Sequence, residues 1–139
     1  MPNLCGLKFS HDDLVQLQAC VALDRGAFDV LYGYDETLLA GLCLGVRGAI
    51  GSTYNFASAH YERLIKGFEA GDLAAARAAQ LKAAELVGAL GQYGFLAASK
   101  AAMALAGVPC GPVRPPLRNL SREELAALAD TLKTLGVLG

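Results

Sequence analysis

The chain has 139 residues, 12 Lys and Arg against 13 Asp and Glu for a formal net charge of −1, and 54% hydrophobic residues. That length suits one domain or one lobe of a larger one, and a high apolar fraction with a net charge near zero argues against a disordered chain. The lack of a basic block argues against a nucleic-acid partner recruited by phosphate neutralisation.

The first third alternates short β-type runs with helix signals. Leu4–Phe9 is apolar apart from Lys8 and predicts a strand. Ser10 followed by Asp13 predicts an N-cap with an acidic first turn. Leu14, Leu17, Val21 and Cys20 then share one face of a helix ending near Arg25-Gly26. Phe28–Tyr34 predicts a second strand, and Asp35-Glu36-Thr37 opens a helix closed by Gly45. Gly48–Gly51 predicts a third, short strand, with Ser52-Thr53 capping a helix to about residue 70. Strands that lack in/out alternation, each followed by a helix, predict an α/β chain with a parallel sheet covered by helices. From Gly71-Asp72 onward the pattern is helical and Ala-rich, with helices over 72–92 and 95–106. Pro109–Pro116 carries too many prolines for helix. Ser121-Arg122-Glu123-Glu124 is a capping box for a last helix to about Leu135.

The longest uncharged runs, Gly48–Tyr61 and Leu86–Ser99, have 14 residues each and polar interruptions, against the roughly 20 apolar residues of a membrane span. Lys8, Asp12 and Asp13 occupy the window where the apolar region of a signal peptide would lie. No membrane partner and a cytoplasmic location are therefore expected. Cys5, Cys20, Cys43 and Cys110 form no C-x-x-C pair, and His11 and His60 fit no zinc spacing. Buried, reduced thiols and no metal are the expectation.

Three strand-to-helix junctions carry chemistry. Lys8 is either a strand-end lysine whose stem snorkels to water or a nucleophilic amine kept neutral by apolar burial. Asp35 and Glu36 are either an N-cap with helix-dipole charge or a pair of acceptors that grip a polyol. Gly48–Asn55 fails the P-loop pattern, with Ser52 where Lys is required, and its glycines do not space as G-x-G-x-x-G. What remains there is a close backbone turn with a hydroxyl at a helix start, either a cap or a site for an anion or hydroxyl.

Taken together, Gly6–Ser10, Tyr32–Glu36 and Gly48–Asn55 (GLKFS, YGYDE and GAIGSTYN) resemble the later half of the N-acetylneuraminate lyase family. That family belongs with the dihydrodipicolinate synthase group of Schiff-base aldolases on the (β/α)8 barrel. The resemblance extends through the helical tail and Gly111–Leu117. It implies that 1–70 is a partial barrel of three βα units, strands six to eight, and 71–139 a C-terminal helical extension. It implies reversible cleavage of sialic acid to pyruvate and N-acetylmannosamine, with Lys8 forming the imine. Ser10, Gly33, Asp35, Glu36 and Ser52 would bind the sugar, Ile50 and Gly51 would line the pyruvate end, and no cofactor is implied. The family's first five strands, its Gly-Thr-Thr-Gly-Glu-type carboxylate loop and its proton-shuttling tyrosine have no counterpart here. A (β/α)8 barrel takes about 250 residues, so the expected partner is a second copy in a homo-oligomer or a separate N-terminal half-barrel. The alternatives are a half-barrel that folds or oligomerises without activity, and an aldolase for another 2-oxo acid.

Overall fold

The computed structural model describes residues 3–138. Three parallel strands, β1 (Gly6–Phe9), β2 (Asp29–Tyr32) and β3 (Gly48–Ala49), form one sheet in the order β1-β2-β3. Helices α1 (Leu14–Ala22) and α2 (Leu38–Cys43) follow β1 and β2, and α3 (Tyr54–Glu69) follows β3. Then come α4 (Leu73–Gln92), α5 (Phe95–Leu105) and α6 (Arg122–Thr134). The strands are shorter than their apolar runs, and the ladder continues beyond them by single bonds. Asp29 N–H donates to Cys5 O (2.9 Å), Gly33 N–H to Phe9 O (2.8 Å) and Ile50 N–H to Tyr32 O (2.9 Å).

The sheet is covered by helices on one face only. Phe9, Val30 and Tyr32 are buried, whereas Lys8 is exposed and Leu31 and Gly48 are half-buried. Side chains alternate across a strand, and in these residues nothing packs on the second face. Among the described residues, the outer edges of β1 and β3 pair with no further strand.

Helix starts depart from the sequence expectations in informative ways. Asp13, not Ser10, caps α1, accepting from Gln16 N–H at 3.0 Å. The helix stops at Ala22, and a 3-10 turn over Leu23–Gly26 follows, with Asp24 and Arg25 at positive φ. Asp35 and Thr53 do not cap; their side chains bond to each other instead. Asp72 does cap α4, accepting from Ala75 N–H at 2.9 Å. The capping box of α6 is complete, and Arg118 brackets Glu124 with bonds of 2.6 and 2.9 Å. Ser121→Ala is expected to cost about 1 kcal/mol, seen as a lower midpoint in urea with an unchanged slope.

One core joins the βα part to the helical part: Leu17, Tyr32, Leu38, Leu64, Leu86, Leu90, Leu128 and Leu132 are all fully or almost fully buried. Small residues let the helices approach closely. A Cβ at Gly67 of α3 would stand 3.0 Å from the backbone of Ala76 in α4. Beneath β2, a Cβ at Gly41 would stand 2.7 Å from the ring of Tyr32. No described helix is long and apolar enough to cross a membrane. The thiols are free but not buried: Cys5, Cys43 and Cys110 are exposed and Cys20 is half-buried. Cys20, in α1, packs against the edge of the shared core, and the other three lie at its periphery.

His60, which fits no zinc spacing in the sequence, is buried in α3 at 3% exposure. Its Nδ1 lies 2.7 Å from the Arg63 guanidinium. Arginine only donates, so Nδ1 accepts and the neutral ring carries its proton on Nε2. Burial first, then the charges of Arg63 and Lys82, push its pKa below the ordinary 6.5, against a small opposing pull from the Leu135 backbone. The unfolded chain therefore binds a proton near 6.5 that the folded one resists. Stability is expected to fall as pH drops through about 6.5 and to level off below the folded pKa. Thermal midpoints compared between about pH 8 and about pH 5 check this. His60→Gln should flatten that part of the curve.

Candidate functional site

In a parallel sheet all strand ends of one kind point the same way, so three separate junctions converge. Lys8 projects from β1 on the open face and Ser10 follows the strand. Gly33, Asp35 and Glu36 follow β2, and Gly51 and Ser52 follow β3. These seven residues line a single cavity of about 310 Å³, with Tyr34, Val87 of α4 and Phe95 of α5 completing its walls. Ile50 is outside the lining. Its side chain is 49% exposed, and its carbonyl points towards Gly33.

Two glycines let the groups crowd together. A Cβ at Gly33 would collide with the Ser10 hydroxyl and the Lys8 side chain. A Cβ at Gly51 would collide with the Asp35 carboxylate. Asp35 is 5% exposed. Its Oδ2 accepts from Thr53 N–H (3.2 Å) and from the Thr53 hydroxyl (2.5 Å), while Oδ1 has no partner within hydrogen-bonding distance. Glu36 and the hydroxyls of Ser10 and Ser52 are more open to the cavity.

The turn carrying the two carboxylates is held from two sides. Tyr32 Oη lies 2.7 Å from Thr37 Oγ1 and stacks its ring on Phe9. Gln80 of α4 clamps both ends of the turn: its Nε2 donates to Asp35 O (3.2 Å), and its Oε1 accepts from Leu39 N–H (2.8 Å). Tyr34 beside the cavity has its pKa raised, first by the charge of Glu36 and then by Asp12, so its hydroxyl stays protonated. The Lys8 side chain is exposed in this chain, as the reading of it as a strand-end lysine expects and the apolar-burial reading does not. Apolar residues next to it in a strand point to the other face, so their chemistry says nothing about its own surroundings.

Sequence reasoning missed Val87, Phe95, Tyr34 and Gln80. Val87, Phe95 and Gln80 reach the site across the fold from helices, whereas Tyr34 stands inside the YGYDE junction, between Gly33 and Asp35. Phe95 offered the one hint, an aromatic residue opening a helix directly after Gly94 at positive φ.

This geometry is that of an α/β chain with its site at the carboxyl ends of parallel strands, where such folds gather their chemistry. The chain belongs to the dihydrodipicolinate synthetase family, which it matches over residues 1–135. It is 38% identical to rat (Rattus norvegicus) N-acetylneuraminate lyase over 99% of this chain and 44% of the relative. The structure of the Aliivibrio salmonicida lyase superposes with a TM-score of 0.94 at 37% identity, covering 100% of this chain and 46% of that one. The Fusobacterium nucleatum lyase complexed with pyruvate superposes with a TM-score of 0.87 at 25% identity, covering 97% and 46%. The chain thus spans a little under half the length of these relatives and corresponds to their C-terminal part.

Proposed function

We propose that this chain is the imine-forming and sugar-binding part of an N-acetylneuraminate lyase-type aldolase, corresponding to strands six to eight of a (β/α)8 barrel and the helices after them. The observation that carries the reading is the convergence of Lys8, Ser10, Gly33, Asp35, Glu36, Gly51 and Ser52 on one cavity. In the proposed reaction the neutral Lys8 amine attacks the 2-oxo carbon of open-chain N-acetylneuraminate and water leaves, giving an imine. Protonated, this imine withdraws electrons from the adjacent carbon. The C3–C4 bond breaks as the C4 hydroxyl loses its proton, so that C4 becomes the aldehyde of N-acetylmannosamine. The electron pair passes into an enamine, which is reprotonated and hydrolysed to pyruvate and free Lys8.

Carboxylates and hydroxyls at Asp35, Glu36, Ser10 and Ser52 suit a polyhydroxylated chain. A site that bonds each hydroxyl rejects analogues lacking them, because its own polar groups would be left unpaired. Phe95 and Val87 supply an apolar wall for carbon-bound faces of the sugar. No cofactor enters these steps.

A second reading is favoured by the exposure of Lys8 and the open face of the sheet: a half-barrel that folds without turning over substrate by itself. One experiment separates the two. Pyruvate with borohydride traps an imine as a stable amine, and mass spectrometry then maps it. An adduct confined to Lys8 supports the first reading. A folded chain with no adduct supports the second.

A further inference from the structure

We infer that Tyr61 is a positioning residue for the candidate site, acting through Thr53 to orient the Asp35 carboxylate that the sugar-binding turn is built around. This rests on the function proposed above. Thr53 and Tyr61 are buried, and Thr53 Oγ1 lies 2.5 Å from both Asp35 Oδ2 and the Tyr61 hydroxyl. A threonine hydroxyl has one proton. Thr53 gives it to the carboxylate, so Tyr61 must donate to Thr53. The chain of bonds therefore runs in one direction, from α3 through the β3–α3 junction to the turn after β2.

Each link narrows the freedom of the next. Tyr54 packs its ring edge against Tyr61, with centroids 4.1 Å apart and planes at 76°. Burial pushes the pKa of both tyrosines up; at Tyr61 the bond with Thr53 opposes this in part and the charge of Asp35 adds to it, and the net shift is upward at both, so Tyr61 keeps the proton it donates. Thr53 spends both its backbone N–H and its hydroxyl on Oδ2 alone. That leaves Oδ1 unpartnered and turned towards Gly51, whose missing side chain makes the room. The carboxylate thus has one oxygen held by Thr53 and the other turned to the side where the β2 and β3 junctions meet, with the Tyr54 hydroxyl close to the same carboxylate. A neutral apolar core would hold the helix as well, so the hydroxyl relay is explained by the orientation it imposes.

Two readouts on the intact chain test this. One is the rate of borohydride trapping of pyruvate at Lys8, and the other is the affinity for N-acetylmannosamine followed by NMR. Tyr61→Phe should weaken sugar affinity about 5-fold and Thr53→Val about 30-fold, each by far more than the trapping rate changes. Thr53→Ser, which keeps the hydroxyl, should restore it. If sugar affinity and trapping fall together, or neither moves, Tyr61 is only a packing residue and the inference is overturned while the function stands. If the parent chain itself neither traps pyruvate nor binds the sugar, the proposed function fails and takes the relay with it.

Discussion

Lys8→Met is expected to remove the pyruvate adduct, lowering borohydride trapping about 1,000-fold or to background. Imine formation needs a neutral amine with a free electron pair, and no other group type in the cavity supplies one. Lys8→Arg is the sharper variant. It keeps the positive charge, but a guanidinium does not lose its proton in proteins and forms no imine. Charge-driven binding of pyruvate would survive the change to Arg, whereas covalent trapping would not. Both variants should leave the thermal midpoint within about 2 °C of the parent, because exposed positions outside special contacts change stability little. An adduct that persists in either variant, mapped to Lys66, Lys82, Lys100 or Lys133, would sink the assignment. Lys100 is already engaged, donating to Cys110 O and Pro112 O at 2.9 and 3.0 Å.

Gly51→Ala is expected to be strongly destabilising. The added carbon would occupy the space of the Asp35 carboxylate, and that carboxylate is buried and tied to Thr53. Either the backbone after β3 moves or Asp35 swings away and leaves Thr53 and Tyr61 without their acceptor. Overpacking costs about 1–3 kcal/mol and an orphaned buried polar group about as much again. We expect about 3 kcal/mol in all and a thermal midpoint lower by about 10 °C. The double variant Gly51→Ala/Asp35→Ala discriminates the cause. If the collision is the reason, the second change should relieve part of the loss. Equal or additive damage would place the strain elsewhere.

Several elements were legible in the order of residues because their causes are local. The capping box at Ser121 and the Asp72 cap involve residues three apart, and a helix brings those together wherever it sits. The alternation of short apolar runs with amphipathic stretches implied parallel strands, since such a chain has few other ways to cover a sheet. The grouping of Lys8, Gly33, Asp35, Glu36, Gly51 and Ser52 was also accessible, through the resemblance of three junction motifs.

Other features depended on contacts across the fold. Ser10 looked like the cap of α1, yet Asp13 takes that bond, because the chain must clear the strand end before it can coil. Asp35 and Thr53 each had the local pattern of an N-cap, but the parallel sheet brings them side by side and they bond to one another. The clamp from Gln80, 45 positions beyond Asp35, and the wall from Phe95 have no trace in local pattern. Residue type and helical or strand period are properties of short segments, so the order of residues was enough to place the candidate residues at strand ends. The link from Tyr61 through Thr53 to Asp35, and the open face on which Lys8 stands, came instead from contacts across the fold. Hydrogen-bond partners and exposure are set by what packs nearby in space, and distance along the chain does not encode that.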